Sequence, residues 1–406
     1  MNSSSNIYLS NLTNRVITGL ENLCFGQTID RDFLKGRRLG LLANPASVDS
    51  RFNHASSLIN QIYPDQLKAL FSPQHGFYAQ KQDNMIESDH TVDPKLKIPI
   101  FSLYSKTRVP TKEMFDLIDT LIVDIQDVGT RVYTFIYTIS YCLEVASKYN
   151  KDVVILDRPN PVGGVAIEGN ILKKDYTSFV GRFPIPMRHG LTVGEIATLF
   201  NSEFIDKPAN LKVVPMVGWR RDMLFSDTCL AWIAPSPNLP TPASALVYPG
   251  QVIWEGTNIS EGRGTTQPFE IFGAPFIGRE KIYFELMDKI QGVVLRPVAF
   301  EPTSGKWQGR ACYGFQIHVT DHTLFKPYKT SLLLIQQIIK EHPDHFKWKE
   351  PPYEYEYVKL PIDLILGDKE LREQIERFES IDLIEKSWID ELDDFKKMSR
   401  RYYLYG

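Results

Sequence analysis

Five short apolar runs in the first half of the chain are each followed by polar residues. They occupy positions 39–42, 67–71, 98–103, 121–123 and 153–156. Short continuous apolar runs are typical of strands buried on both faces of a sheet. Between them lie amphipathic segments, for example 133–149, in which Ile136, Ile139 and Leu143 recur at helical spacing. Strands that alternate with helices predict βαβ units, and so a Rossmann-like, largely parallel sheet with helices on both faces.

From about residue 190 onward, the pattern of residues changes along the chain. A helix is expected after Thr192, with Glu195 at the capping-box position, and a further strand at 211–217. The proline-dense segment 234–242 predicts an extended, rigid wall of a cleft. Short strands at 293–300 and 312–319 and helices at 280–290, 331–340 and from Trp388 onward then predict a smaller α+β domain. We therefore expect a Rossmann-like catalytic domain at 1–250 and a second domain at 251–406 that closes the cleft.

Composition excludes several classes of protein. The 406 residues are 43% hydrophobic and 12% aromatic, which supports packed cores and argues against disorder. The net charge is −3, and acidic and basic residues are interspersed, so the sequence shows no basic cluster of the kind that binds nucleic acid or an anionic membrane. The apolar stretches are far shorter than the roughly 20 residues of a membrane span. Because the first residues carry no pattern of an export signal, the expected location is cytoplasmic.

Several cofactor and metal motifs are missing from the sequence. Cys24, Cys142, Cys229 and Cys312 lie far apart, without a CxxC pair or metal-ligand spacing. No GxGxxG follows the first strand, which disfavours a nucleotide-binding protein, and neither GxSxG nor HExxH occurs. The sequence therefore predicts neither a cofactor nor a metal site. It leaves the oligomeric state open.

The polar residues after the strands are candidates for a site, because ligands of open α/β sheets bind beyond the carboxyl ends of the strands. His75 follows the second run and Glu87 lies in the polar loop after it; a structural role is the alternative for both. Asp124 and Asp127 follow a buried strand, where carboxylates must be paired or cap a helix. The other candidates at strand ends and along the cleft are polar or aromatic: Asn44, Gln74, Tyr104, Arg131, Tyr133, Arg158, Asn160 and Asn238.

The densest group of reactive side chains lies at 254–266. Glu255, Asn258, Glu261 and Arg263 occur there among three glycines and four hydroxyl residues. Glycines let backbone approach a ligand, and arginine binds carboxylates with two hydrogen bonds. The sequence therefore predicts that this loop takes part in binding or catalysis.

The chain resembles the NamZ-type exo-β-N-acetylmuramidases, formerly a domain of unknown function (DUF1343), from about residue 38 to its end. The resemblance rests on many motifs in order rather than on a single short pattern. They are Ala43-Asn44-Pro45, Ser72-Pro73-Gln74-His75-Gly76, Asp124-Ile125-Gln126-Asp127, Asp157-Arg158-Pro159-Asn160-Pro161, Arg188-His189-Gly190, Pro235-Ser236-Pro237-Asn238 and Glu255-Gly256-Thr257-Asn258 with Ser260-Glu261-Gly262-Arg263-Gly264.

The resemblance implies a Rossmann-like domain, a smaller C-terminal domain and a site in the cleft between them. It implies release of terminal, non-reducing N-acetylmuramic acid (MurNAc) from peptidoglycan fragments, as in bacterial cell-wall recycling. The chain departs from the family at one position: the motif at 74–76 usually reads Glu-His-Gly, and that glutamate is a leading candidate for the catalytic acid. Gln74 stands in its place and has no titratable proton.

These expectations lead to a mechanistic hypothesis. Glycoside hydrolysis needs an acid at the leaving oxygen and a second group at the reacting carbon. Glu87 and Glu261 are the candidate acids, with Asp127 as base or stabiliser and His75 as a further catalytic candidate. Arg263 or Arg131 is a candidate for binding the lactyl carboxylate of MurNAc. The alternative is an altered relative that binds amino sugars or hydrolyses a different anionic glycoside.

Overall fold

The computed structural model describes residues 15–26, 31–77, 90–104 and 107–406. Its main sheet has seven strands in the order β3-β4-β2-β1-β5-β6-β7. All neighbouring strands are parallel except β3 and β4, which pair antiparallel at one edge. The strands are β1 Leu39–Ala43, β2 Leu67–Ser72, β3 Thr91–Val92, β4 Pro99–Ser102, β5 Thr120–Asp124, β6 Asp152–Leu156 and β7 Asn210–Val214.

The five apolar runs are confirmed as strands β1, β2, β4, β5 and β6, and the Rossmann-like fold class is confirmed with them. The strand order reverses direction between β1 and β5, which pair with each other in the centre of the sheet. At such a reversal the loops that leave neighbouring strands diverge and open a crevice. The carboxyl edge of the sheet is therefore the expected place for a ligand.

The helices of this region begin largely where the sequence predicts. Thr192 caps one of them, and its capping box with Glu195 is present. Pro242 occupies the first turn of another, so the proline-dense segment leads directly into a helix. The helices are α1 Gly19–Phe25, α2 Ala55–Ile62, α3 Lys112–Asp116, α4 Phe135–Lys148, α5 Val193–Leu199 and α6 Pro242–Gln251.

The C-terminal part adds an antiparallel sheet and six further helices within the described residues. The sheet has the order β8-β10-β9, with β8 Ile271–Ala274, β9 Val293–Phe300 and β10 Cys312–Val319. The helices are α7 Arg279–Leu286, α8 Pro327–Glu341, α9 Pro361–Leu366, α10 Lys369–Glu376, α11 Ile381–Ser387 and α12 Ile389–Ser399. Leu42 of the large sheet and Phe315 of the small one belong to the same buried cluster, so the two parts pack tightly. Across the described ranges, no helix combines the length and apolar character needed to cross a membrane.

Glu168 forms a hydrogen bond between the two parts of the protein, and we expect the free energy of unfolding to depend on its protonation. Its Oε1 accepts a hydrogen bond from the backbone N–H of Lys329 at the start of α8 (2.9 Å), and burial raises the pKa of its carboxyl to about 7. Because the folded state binds this proton more tightly than the unfolded chain, stability falls as pH rises from about 4.5 to about 7. The difference amounts to about 3 kcal/mol, at 1.36 kcal/mol per pKa unit.

We therefore expect Glu168→Gln to gain stability relative to the native chain as pH rises through this range. Urea unfolding at several pH values measures the effect, and Glu350→Gln at an exposed position controls for the loss of one carboxylate. A difference between Glu168→Gln and the native chain that does not change with pH contradicts this assignment.

Candidate active site

A pocket lies at the carboxyl edge of the large sheet, where the loops after β2 and β5 face the C-terminal part. Its walls come from distant stretches of the chain, including the proline-dense segment, which confirms that segment as a wall of the cleft. The lining residues are Gln74, His75, Val132, Tyr133, Thr134, Val180, Ser236, Asn238, Leu239, Tyr248, Glu255, Arg263, Phe269, Tyr353 and Glu354.

One side of the pocket is a chain of hydrogen bonds that holds Gln74 and Glu354 together. The Thr134 hydroxyl donates to Gln74 Oε1 (2.7 Å), which fixes the orientation of the amide. Gln74 Nε2 then donates to Glu354 Oε1 (3.2 Å), while the Tyr104 hydroxyl donates to Glu354 Oε2 (2.7 Å). Both oxygens of the Glu354 carboxyl therefore accept from neutral groups.

Glu354 occupies a tight turn of unusual composition. The backbones of Tyr353 and Glu356 exchange two hydrogen bonds of 2.9 Å, which leaves Glu354 and Tyr355 as the central pair of a hairpin turn. Both have positive φ, +45° and +68°. Hairpin turns of this kind favour Asn-Gly, because larger side chains are strained at positive φ. A glutamate and a tyrosine are held there by the structure around them.

The opposite side of the pocket is a network of ions. Arg263 Nη2 donates to Glu255 Oε1 (2.6 Å), and Arg263 Nε lies 3.2 Å from Glu261 Oε1. The second oxygen of Glu255 accepts from the Tyr353 hydroxyl (2.7 Å), and that of Glu261 accepts from Lys306 Nζ (2.8 Å). Two buried carboxylates thus share one arginine, and the lysine compensates the second charge.

The carboxyl groups of the pocket differ in their affinity for protons. Burial raises the pKa of Glu354, and the charge of Glu255 adds to this, while the hydrogen bonds from Tyr104 and Gln74 and the charge of Arg108 oppose it. Burial would also raise the pKa of Glu261, but the charges of Lys306 and Arg263 outweigh it and hold that pKa below its ordinary value. Carboxyls with opposite shifts in one pocket are typical of sites that separate an acid from an ionised partner.

The structure brings together about half of the candidate residues. Gln74, His75, Tyr133, Asn238, Glu255 and Arg263 line the pocket, and Tyr104 and Glu261 contact lining residues. Glu87 lies outside the described residues. Since Glu261 forms two ion pairs that favour its charged form, its geometry suits an ionised stabiliser better than an acid.

The charged and amide side chains at the central strand ends are used by the fold. Arg158 forms a two-point ion pair with the fully buried Asp124, with Nη2 to Oδ2 at 2.9 Å, rather than with its neighbour Asp157. Asn44 binds the backbone of Ala46 and Gln126, and Asn160 binds that of Val162 and Leu191. These four residues are not among those that line the pocket.

Three further candidates also form contacts within the fold. Asp127 Oδ2 accepts from the Gly129 N–H (2.7 Å) and lies 3.8 Å from His189 Nε2. The next helix, α4, has Thr134 at its N-cap, so Asp127 orders the loop and does not cap a helix. Arg131 is fully buried and donates to four backbone carbonyls, so it does not reach the pocket. Asn258 binds the backbone of the 345–347 segment. Trp254 of the same loop is fully buried against Phe272.

Sequence reasoning missed Glu354, Tyr353, Tyr248 and Lys306. A signal for the first two exists in the alternation Tyr353-Glu354-Tyr355-Glu356-Tyr357, because exposed loops rarely carry three tyrosines in five residues. Its partner Gln74 is 280 positions away, so the pairing is visible only in three dimensions. Among the described residues, no three His, Cys, Asp or Glu side chains are grouped to hold a metal ion.

The fold is an α/β sheet with a smaller antiparallel C-terminal part, and the candidate pocket combines a buried carboxyl with carboxylates that are paired to an arginine. Family models identify the class of protein. Residues 39–243 match the N-terminal model of the exo-β-N-acetylmuramidase NamZ, and residues 246–405 match the C-terminal model. The chain belongs to the NamZ family.

Individual relatives agree with this assignment. The chain is 43% identical over 374 residues to the peptidoglycan β-N-acetylmuramidase NamZ of Bacillus subtilis, covering 92% of this chain and 88% of that protein. It is also similar to crystal structures of two DUF1343 family proteins from Bacteroides fragilis. One has a TM-score of 0.86 at 35% identity, covering 97% of this chain and all of the other. The second has a TM-score of 0.75 at 26% identity and covers 96% and 99%.

Proposed function

We propose that this protein is an exo-β-N-acetylmuramidase that releases MurNAc from the non-reducing end of peptidoglycan fragments. The observation that carries the proposal is the pocket that Glu354 lines together with Glu255 and Arg263, with Glu261 paired to the same arginine. Burial raises the pKa of Glu354, whereas the charges of Lys306 and Arg263 hold the pKa of Glu261 below its ordinary value. Hydrolysis of a glycoside needs one protonated and one ionised group at the reacting bond. Membership of the NamZ family supports MurNAc as the sugar.

Binding of MurNAc rather than GlcNAc requires a cation for the lactyl carboxylate. Arg131 donates to backbone carbonyls and Arg263 is neutralised by two carboxylates, so neither is available. Arg108 is different: its guanidinium stacks 3.6 Å from the ring centre of Tyr355, next to Glu354. In the described part of the chain, its Nε and Nη2 have no hydrogen-bond partner. We assign Arg108 the role of attracting the lactyl carboxylate.

Replacing Arg108 with methionine is expected to raise KM for a β-MurNAc glycoside about 10- to 100-fold, the value of one hydrogen bond to a charged group. The same variant should bind a β-GlcNAc glycoside, which lacks the lactyl group, no worse than the native chain. Steady-state kinetics with both glycosides measure the difference, and Arg108→Lys, which keeps the charge, serves as the matched control. Equal losses on both glycosides contradict the assignment.

Turnover of chromogenic glycosides tests the proposed function. The native chain is expected to release the chromophore from the β-MurNAc compound and much more slowly from the β-GlcNAc compound. Gln74→Glu is run alongside, because an inactive native chain that becomes active in this variant would identify a binding or repurposed relative. Inactivity of both chains on the MurNAc compound would contradict the proposal.

The proposal also concerns the cellular compartment in which the enzyme acts. All four cysteines are free, and Cys24, Cys142 and Cys312 are buried. Free thiols in buried positions fit a reducing compartment. We therefore infer that the enzyme acts on muramyl fragments in the cytoplasm, which cell fractionation followed by the MurNAc assay would test.

A further inference from the structure

We propose that Glu354 is the general acid of this enzyme and protonates the glycosidic oxygen from the C-terminal wall of the pocket. This inference rests on the glycosidase activity proposed above and assigns its acid. Gln74, on the facing wall, carries an amide that cannot supply a proton. Within the described residues, the other carboxyls at the pocket are Glu255, Glu261 and Glu354.

The surroundings of the three pocket carboxyls single out Glu354. Glu255 and Glu261 each form an ion pair with Arg263. Glu354 is 4% exposed, and its hydrogen-bond partners are the neutral Gln74 amide and the Tyr104 hydroxyl, while the nearby charge of Arg108 opposes proton retention less than burial favours it. A buried carboxyl whose hydrogen bonds come from neutral groups retains its proton more readily than one in an ion pair. The raised pKa of Glu354 agrees with this geometry.

The same partners also suit the carboxylate that remains after proton transfer. Both donors point at the carboxyl oxygens, at 3.2 Å from Gln74 Nε2 and 2.7 Å from the Tyr104 hydroxyl. Hydrogen bonds to a carboxylate are stronger than those to a neutral acid. The two contacts therefore gain strength as the proton leaves, which lowers the energy of the transition state relative to the resting enzyme.

Backbone conformation provides an independent observation. Glu354 and Tyr355 hold positive φ at the centre of a two-residue hairpin turn, where Asn-Gly would be unstrained. Each such residue costs on the order of 1 kcal/mol or more, and strain of this kind is concentrated at functional sites. The turn places the carboxyl in the pocket, 3.2 Å from a residue of the loop after β2.

The proposed reaction is the hydrolysis of the glycosidic bond. The bond between the anomeric carbon and the leaving oxygen breaks, its electron pair goes to that oxygen, and the Glu354 proton is transferred to it. A water oxygen then forms the new bond to the anomeric carbon. One proton of that water returns to the Glu354 carboxylate, so the enzyme is restored and one water is consumed.

Dependence on the leaving group tests the proposal. Glu354→Gln is expected to lose 100-fold or more of kcat/KM on a β-MurNAc glycoside with a poor leaving group, the usual range for general acid catalysis. With a dinitrophenyl leaving group, which departs without a proton, the same variant should keep most of its kcat/KM, because this constant reports cleavage of the glycosidic bond and not the later attack of water. The alkaline fall of kcat/KM in the native chain should also disappear in this variant, because the titrating acid is gone.

Two further variants distinguish the loss of an acid from a loss of folding. Glu356→Gln removes a carboxyl two positions away that accepts hydrogen bonds from the backbone N–H groups of Val358 and Lys359, and it should leave kcat/KM for both glycosides unchanged. The exchange Gln74→Glu with Glu354→Gln moves the carboxyl across the 3.2 Å contact. This double variant should recover part of the kcat/KM for the glycoside with the poor leaving group. Its kcat/KM should also fall again at alkaline pH.

Equal losses of Glu354→Gln on good and poor leaving groups would overturn the assignment and make Glu354 a structural residue. Unchanged activity of this variant on the poor leaving group would overturn it as well. In both cases the native chain still hydrolyses the MurNAc glycoside, so the proposed function stands. Inactivity of the native chain on the dinitrophenyl compound would instead contradict the proposed function itself.

Discussion

Arg263→Met is expected to reduce kcat/KM on a β-MurNAc glycoside by about 100-fold or more, which corresponds to about 2.7 kcal/mol of transition-state stabilisation. Arg263 is the cation that Glu255 and Glu261 share, at 2.6 and 3.2 Å. Without it, two buried carboxylates lose their neutralising partner, and Lys306 remains for only one of them. The pKa of Glu261 rises because the charge of Arg263 no longer opposes burial, and the separation between an acid and an ionised partner is lost.

Two controls define what this loss would mean. Arg310→Met removes an exposed arginine of the same domain that stacks over Trp307 at 5.0 Å, and it should leave kcat/KM unchanged. Arg263→Lys keeps a charge but not the planar group that reaches both carboxylates, so an intermediate loss is expected. If Arg263→Met turns over the substrate as the native chain does, the ion network has no part in catalysis.

Arg131→Met is expected to have the largest effect on stability, lowering the free energy of unfolding by about 4 kcal/mol or more. Arg131 is fully buried and donates from Nη1 to the carbonyls of Asn170 and Ile185, and from Nη2 to those of Ile365 and Leu366. Each buried carbonyl left without a donor costs on the order of 1–3 kcal/mol. The last two carbonyls belong to α9, so this side chain also joins the C-terminal part to the large sheet.

Urea unfolding at neutral pH measures this loss against Arg401→Met, which removes the exposed ion pair with Glu203 and should cost less than about 1 kcal/mol. Losses of similar size in both variants contradict the structural role of Arg131. A selective loss of MurNAc binding in a stably folded Arg131→Met protein would instead return Arg131 to its initial role as an anion-binding residue.

Much of the fold could be predicted because its cause is local. The strands at 293–300 and 312–319 occur at the predicted positions, since alternating and continuous apolar runs decide which segments can be buried in a sheet. The capping box of Thr192 and Glu195 was equally visible, because its partners are three residues apart. Periodicity and capping depend on near neighbours, which a sequence displays directly.

The site was harder to predict because charged residues at strand ends look alike whether they serve folding or chemistry. Asp124 and Arg158 form a buried pair, whereas Glu255 and Arg263 form an equally close pair beside the pocket. Only their position relative to the pocket separates the two roles. Glu354 was missed for the opposite reason: its significance depends on Gln74 and Tyr104, which are 280 and 250 positions away.

The central claim is that this pocket removes MurNAc from the non-reducing end of a peptidoglycan fragment. The most direct test is digestion of two disaccharides, one with MurNAc at the non-reducing end linked to GlcNAc and one with the order reversed, followed by chromatography of the products. We expect the first to give free MurNAc and GlcNAc and the second to remain intact. Cleavage of the reversed disaccharide, or of neither, would contradict the account.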